Sequence, residues 1–297
     1  MGNRFEISVV SDDEKWAFDR IDEAIIEIQR IEKLLTTFDE NSQTNLINKN
    51  AGIKPVKVDK EVFDIIVRSK KISDLTQGAF DISYGSIDKS LWNFDKNMTT
   101  LPSAETARKM VRLINYKNIE LNNQHNTVFL KNEGMHIGFG GIGKGYAAEQ
   151  AKKIMQQNGV EHAIVNASGD LTVWGFQPNG KPWTIGIANP NQANQYFSSV
   201  ELTNTSIATS GNYEKFVIID GKKYSHTINP KTGLPICGIK SVTVITPNAE
   251  FADALATPIS IMGIEVGLNL VNQLQQVECI IINDLNQIFT SRNIKLS

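Results

Sequence analysis

Three stretches of this chain hold residues whose types and spacing could do chemistry. In Gly138-Phe-Gly-Gly-Ile-Gly-Lys-Gly145, five glycines surround one lysine. Without a Cβ, such backbone can approach a ligand closely and turn its N–H groups on an anion, and the lysine adds a full positive charge. That is the local chemistry of a phosphate or pyrophosphate cradle. In Ala252-Asp-Ala-Leu-Ala-Thr257, Asp253 and Thr257 stand at i and i+4, one above the other on a helix face. Two oxygen ligands so placed suit a hard cation such as Mg²⁺, which takes few protein ligands and completes its shell with phosphate oxygens. A helix whose Asp and Thr bond only solvent or backbone would read the same way. In Tyr224-Ser-His-Thr-Ile-Asn-Pro-Lys-Thr-Gly233, His226 precedes a Pro/Gly turn. An imidazole there can move protons near neutral pH or simply shape the turn.

Two nucleotide-binding motifs almost fit the glycine stretch. Read as G-x-x-x-x-G-K-[ST], Gly138 to Lys144 match, but Gly145 stands where the magnesium-binding hydroxyl belongs. No later strand ends in a convincing Walker-B aspartate. Read as G-x-G-x-x-G, Gly138, Gly140 and Gly143 match, and Glu161 lies about where a ribose-binding acid is expected. Yet the motif sits mid-chain, and its neighbours do not alternate strand and helix as a doubly wound fold requires. A tight strand-to-helix turn without a ligand is the competing explanation.

The elements that must position these residues are legible from periodicity. Residues 5–10 alternate like a strand, and Asp12 or Asp13 caps a long helix with Phe18, Ile21, Ile25, Ile28 and Leu35 on its apolar side. That helix ends near Thr37, before the polar loop 39–43. A second helix spans about 61–75 and stops at Gly78. A third starts at the Ser103 cap and carries Ala107, Met110, Val111 and Ile114. Short strands at 119–121 and 128–130 follow, then the apolar run 135–137 as a further strand, the glycine stretch and a helix. Strands at 163–165 and 171–174 flank Ser168-Gly-Asp170. Further strands are expected at 183–188, 197–203, 215–219 and 240–246, with Asp220-Gly221 as a hairpin signal. Residues 206–213 read as a hydroxyl-rich turn. Helices at 250–262 and 264–275 and strands at 278–283 and 287–290 close the chain, and Pro258 reads as a kink that frees a carbonyl. Hairpins with separate helices give an α+β fold with mainly antiparallel sheets and packed helices. No linker divides the chain, so 1–297 is expected to be a single domain.

Composition narrows the function classes. A chain of 297 residues, 41% hydrophobic, can bury one large core or two modest ones. With 30 basic and 32 acidic residues and no basic stripe, nucleic acid is not the expected partner. Cys237 and Cys279, far apart in apolar surroundings, read as small buried hydrophobes. No apolar run approaches the ~20 residues that cross a bilayer, and no signal peptide opens the chain. A soluble, cytoplasmic protein is therefore expected.

Taken together, the landmarks resemble those of the FAD:protein FMN transferases, the ApbE-type flavin transferases. In family order they are Thr37-Phe-Asp-Glu-Asn-Ser42 with Leu46-Ile-Asn48, Gly78-Ala-Phe-Asp81 with Leu91-Trp92, and Gly140-Gly-Ile-Gly-Lys-Gly-Tyr146. Ser168-Gly-Asp170, Ala208-Thr-Ser-Gly211, His226 with Pro230-Lys-Thr-Gly233, and Ala252 to Thr257 complete the series. The resemblance covers nearly the whole chain and implies an ApbE-like (T-fold-like) architecture. It implies Mg²⁺-dependent cleavage of the FAD pyrophosphate, with FMN passed to a Thr or Ser hydroxyl of a target flavoprotein and AMP released. Met1, Phe38, Ala79, Phe80 and Asp81 would line the flavin-dinucleotide pocket. Lys144 and the glycine stretch, Gly138 included, would meet the phosphates, with Thr227 nearby. Gly141 (through its carbonyl), Asp253 and Thr257 would hold the metal, and His226 would be the general base.

Three positions depart from the family pattern. Gly138 and Asn229 stand where many members have Asp, and Phe38 where a tyrosine often sits. The resemblance leaves two alternatives in view, an Mg²⁺-dependent FAD pyrophosphatase using water and a flavin carrier without turnover. A Rossmann oxidoreductase is more distant. Family members are often exported lipoproteins, so a periplasmic protein with its leader removed is the alternative location.

Overall fold

In a computed structural model of the protein, residues 4–188, 196–211 and 215–294 are described. All pairings between described strands are antiparallel, and helices pack beside the sheets. The fold is α+β, as the hairpin signals indicate.

The chain opens with β1 (Phe5–Val9) and α1 (Glu14–Leu35). Asp13 caps α1, its carboxylate accepting from Trp16 N at 3.0 Å. The buried row of α1 is Ala24, Ile28, Ile31 and Leu35, whereas Phe18 and Ile25, expected on the apolar side, are exposed. At 100° per residue they lie roughly a quarter turn from that row. Next come α2 (Gln43–Lys49), β2 (Val56–Lys57) and α3 (Lys60–Leu75). A 3₁₀ turn at Ile82–Ser86 precedes α4 (Ala104–Met110), which Ser103 caps as expected. The hairpin β3 (Ile119–Asn122) and β4 (Thr127–Leu130) follows.

The apolar run at 135–137, expected as a strand, is not one. Side chains take the place of a neighbouring strand there. The Asn48 amide donates to Ile137 O at 3.0 Å and accepts from Ile137 N at 2.7 Å. Ser86 Oγ likewise donates to His136 O at 3.0 Å and accepts from His136 N at 2.8 Å. Buried backbone groups need partners, and here polar side chains supply them.

Then α5 (Gly143–Gln157) leads to β5 (Ala163–Ala167) and β6 (Asp170–Trp174), joined through Ser168 and Gly169 with φ of 55° and 98°. Two positive φ values in a two-residue turn suit a tight hairpin. After β7 (Trp183–Ala188) and β8 (Tyr196–Leu202) comes β9 (Thr205–Gly211), a full strand where the sequence suggested a turn. Its hydroxyls are satisfied inside the sheet: Ser206 Oγ donates to Thr172 Oγ1 at 2.9 Å, and Thr209 Oγ1 meets Thr243 Oγ1 at 2.9 Å. The hairpin β10 (Phe216–Ile219) and β11 (Lys222–Ile228) turns at Asp220-Gly221 as expected. The chain ends with β12 (Pro235–Cys237), β13 (Ile239–Thr246), α6 (Ala249–Met262), α7 (Ile264–Val271), β14 (Glu278–Asn283) and β15 (Ile288–Thr290). Helix α6 continues through Pro258, and α7 is shorter than expected, giving way at Asn272 to turns bonded Gln273 N→Leu270 O and Leu274 N→Val271 O.

Two compact units emerge. The first comprises Met1–Ile31, Ile142–Tyr213 and Ile239–Ser297. It holds a seven-stranded sheet, ordered β1-β5-β6-β9-β13-β14-β15, with α5 and α6 packed on each other and on the sheet. Val173, Trp183, Ile185 and Ile207 form one of its core clusters. The second unit comprises Glu32–Gly141 and Glu214–Gly238, with two three-stranded sheets, β2-β4-β3 and β10-β11-β12. There Met110, Val111 and Ile228 pack with Trp92. No described helix is long and apolar enough to cross a membrane.

Candidate functional site

In the first unit, the glycine stretch ends where α5 begins, and the helix starts pressed against α6. A Cβ on Gly145 would lie 2.2 Å from Ala249 O and 2.7 Å from Asp253 Cβ. Only glycine permits that approach, which explains why no hydroxyl follows Lys144. The closeness has a use: Gly145 N donates to Asp253 Oδ2 at 2.9 Å. One N–H of the expected anion cradle is thus committed to the protein's own carboxylate. Glu149 on α5 fixes the same junction, accepting from Ala249 N at 2.9 Å.

Lys144 does not point into open space. Its Nζ is ion-paired with Asp170 Oδ2 and lies 3.7 Å from Asp253 Oδ1. Asp170 is placed by the β5–β6 turn and also accepts from Thr209 N at 3.1 Å. Both carboxylates are buried. Burial holds the Asp253 carboxyl above its ordinary pKa, while the Lys144 ammonium and the Gly145 N–H pull it back. Asp253 and Thr257 share a face of α6, and Thr257 Oγ1 donates to Ser210 Oγ at 3.4 Å. Neither Asp170 nor Ser210 was singled out from the sequence as a site residue. Each belongs to a family landmark, Ser168-Gly-Asp170 or Ala208-Thr-Ser-Gly211, but nothing local reveals that β6, β9, α5 and α6 bring them to Lys144 and Thr257.

The donor set suits a hard cation. Among the described residues no group of three His, Cys, Asp or Glu could hold a metal, but Mg²⁺ needs few protein ligands and favours carboxylate and other oxygen donors. Two buried carboxylates share one ammonium here, leaving a negative charge in excess beside two hydroxyls. Asp253 and Thr257 fit the ion on that chemistry. Gly141, the third expected ligand, belongs to the second unit.

The second unit gathers most of the remaining expected residues. A Cβ on Gly141 would meet the Phe80 ring at 3.5 Å, and one on Gly138 would meet Thr37 Cγ2 at 3.7 Å, beside Phe38. Gly138 N donates to Ile82 O at 2.9 Å. Ala79 and Phe80 are buried, whereas Phe38 is 95% exposed. Asp81 serves the backbone: Oδ1 accepts from Ser83 N at 2.8 Å and from Ser83 Oγ, and Oδ2 accepts from Tyr116 N at 2.8 Å. Burial raises its pKa, against the pull of those hydrogen bonds. His226 lies near the end of β11, its Nδ1 3.2 Å from Lys215 O and its ring edge-on to Phe94 at 6.3 Å. With Nδ1 donating to that carbonyl, the lone pair resides on Nε2. Asn229, where many family members carry Asp, accepts from Lys231 N at 2.9 Å and so shapes the Pro230–Gly233 turn. Thr227 N donates to Ser225 Oγ at 3.0 Å. Met1 lies outside the described residues.

Residues 1–281 match the ApbE family. A curated relative from Klebsiella pneumoniae (strain 342), named FAD:protein FMN transferase, is 31% identical over 279 residues, covering 92% of this chain and 79% of its own length. Another of that name, from Escherichia coli (strain K12), is 29% identical over the same shares. Among solved structures, the ApbE protein of Thermotoga maritima matches with a TM-score of 0.85 at 30% identity, covering 98% of this chain and 94% of that one. The apo flavinyl transferase ApbE of Pseudomonas stutzeri matches at 0.84 and 26% identity, covering 98% and 92%.

Proposed function

This chain belongs to the ApbE family, and from that premise we propose how its own residues carry out the reaction. It is a transferase that moves FMN from FAD. The finer reading is an Mg²⁺-dependent transfer to a Thr or Ser hydroxyl of a target flavoprotein, with AMP released. The acceptor oxygen forms a bond to the FMN-side phosphorus, the phosphoanhydride bond to AMP breaks, and AMP leaves with the bridging oxygen.

The observation that carries this reading is the Lys144–Asp170–Asp253 cluster beside the Thr257 hydroxyl. Bound Mg²⁺ would supply charge neutralisation on the phosphate oxygens, held by Asp253, Thr257 and the Gly141 carbonyl. Lys144 adds a second positive charge towards the phosphates. His226 accepts the acceptor hydroxyl's proton at Nε2, and the Lys215 carbonyl bonded to Nδ1 keeps the ring in that tautomer. Met1, Phe38, Ala79, Phe80 and Asp81 would line the flavin-dinucleotide pocket, and Gly138 and Thr227 would serve the phosphates. Asp81 supports that segment through its backbone bonds.

The test is incubation with FAD and Mg²⁺, with and without an acceptor protein carrying a candidate Thr or Ser, reading AMP release and covalent FMN. Labelling with stoichiometric AMP is the expected result. AMP without labelling would replace transfer by pyrophosphate hydrolysis, and neither product would leave only flavin binding.

A further inference from the structure

The first unit contains a cation of its own at the place assigned to Mg²⁺. Lys144 Nζ pairs with Asp170 and stands 3.7 Å from Asp253 Oδ1. Asp253 keeps a second bond, from Gly145 N at 2.9 Å, and Asp170 keeps one from Thr209 N at 3.1 Å. The two acids are therefore each anchored to backbone, and the flexible member of the trio is the lysine. A buried carboxylate without a counter-charge is costly, so in the absence of metal the ammonium must serve both. One ammonium cannot neutralise two carboxylates.

We propose that Asp170 is a positioning residue that retains Lys144 when Mg²⁺ takes Asp253, so that metal loading exchanges one ammonium contact for a metal bond. This rests on the assignment of Asp253 to the metal. The placement of the acids supports it, since Lys144 lies within ion-pair reach of both, and Asp170 is the one not assigned to the metal. Lys144 can give up Asp253 without becoming an unpaired ammonium, and Asp170 keeps its own counter-charge throughout. Asp170, on β6, also gives the lysine a partner other than the metal's ligand. Without Asp170, the ammonium would collapse onto Asp253 and compete with the metal for that carboxylate.

The full-length chain tests this without turnover, by titrating Mn²⁺ as a spectroscopic substitute for Mg²⁺ in the absence of FAD. Asp170→Asn should weaken Mn²⁺ binding about tenfold, and Lys144→Met should tighten it severalfold. Combining the two should restore affinity towards that of Lys144→Met alone, because Asp170 acts through the lysine. Lys152→Met, which removes an ammonium paired with Glu149 at 3.9 Å in the same unit, controls for bulk charge and should change little. Circular dichroism checks folding, and Lys144→Gln replaces the methionine variant if that one melts early. An equal loss from Asp170→Asn with and without Lys144 would overturn the inference, since Asp170 would then act directly on the metal. Tightening in Lys152→Met as large as in Lys144→Met would also overturn it. Failure of every variant and the wild type to bind Mn²⁺ would instead remove the metal assignment itself.

Discussion

At the scale of single residues, His226 makes the sharpest demand. Its ring is oriented by a backbone carbonyl, Lys215 O, to which both its own N–H and its Nδ1 are directed at 3.0 and 3.2 Å. A carbonyl fixes the tautomer but contributes less charge than a carboxylate would. His226→Ala should lower the rate of covalent FMN attachment by roughly 10²–10⁴ while leaving FAD affinity within a few-fold. Equal losses of binding and labelling would assign the imidazole to the turn alone. Asp81 gives a second test at this scale. Its folded pKa is raised by burial, so the folded protein holds the proton more tightly than the unfolded chain does. The associated stability is fully present below the unfolded value of about 3.9 and is lost as pH rises through the folded pKa. The wild-type advantage over Asp81→Asn in thermal unfolding should therefore shrink as pH is raised from about 4 towards neutrality. An advantage that grows over that range would contradict the burial argument. The family resemblance implies Asp81 in the flavin-dinucleotide pocket, but nothing local shows that its oxygens hold Ser83 and Tyr116. Those partners are set by tertiary folding.

Among the elements, the junction of α5 and α6 is the most constrained. Gly145 is tolerated at the start of a helix because any larger residue would collide with Ala249 O and Asp253 Cβ. Gly145→Ala should cost at least about 1–3 kcal/mol of stability and should weaken metal binding, because relief requires α6 to move with Asp253 on it. Gly140→Ala is the matched contrast, with nothing within 4 Å of the added methyl, and should fold and melt like the wild type. Calorimetry on both variants checks the pair. Equal melting temperatures would show that the helices yield easily. The elements themselves were unevenly legible. Helices α1, α3 and α5 carry long apolar repeats and clear stops, and the hairpins at Ser168-Gly169 and Asp220-Gly221 carry residues suited to positive φ. Strand β9 was hidden because its hydroxyls bond across to Thr172 and Thr243 within the sheet, where a turn would have exposed them. The 135–137 segment reads as a strand for the opposite reason, being an apolar run whose backbone is paired with side chains. Helix α2, seven residues long, is too short for periodicity and shows only its Ser42 cap.

For the molecule as a whole, the question is which dinucleotide it was built to hold. The glycine stretch satisfies two nucleotide motifs in part, so local sequence could not decide between FAD and a Rossmann ligand. The order of elements does decide against the latter. A doubly wound domain needs parallel strands joined by helices, and the pairings described here are antiparallel, in a sheet that crosses β6 to β9 to β13. Ligand binding to the folded state raises stability by mass action, about 2.7 kcal/mol at a hundredfold excess over Kd. For a chain of this size that corresponds to a melting shift of roughly 4 °C. FAD with Mg²⁺ should produce such a shift, FAD with a chelator a smaller one, and NAD none, measured by scanning calorimetry under conditions where turnover is negligible. The chelator arm isolates the proposed Asp253 and Thr257 contribution, since Phe38, Ala79 and Phe80, proposed to face the flavin, do not depend on metal. A larger shift with NAD than with FAD would mean that the glycine stretch, and not the flavin-facing segment, selects the ligand, and it would revive the dehydrogenase reading that the antiparallel sheet argues against.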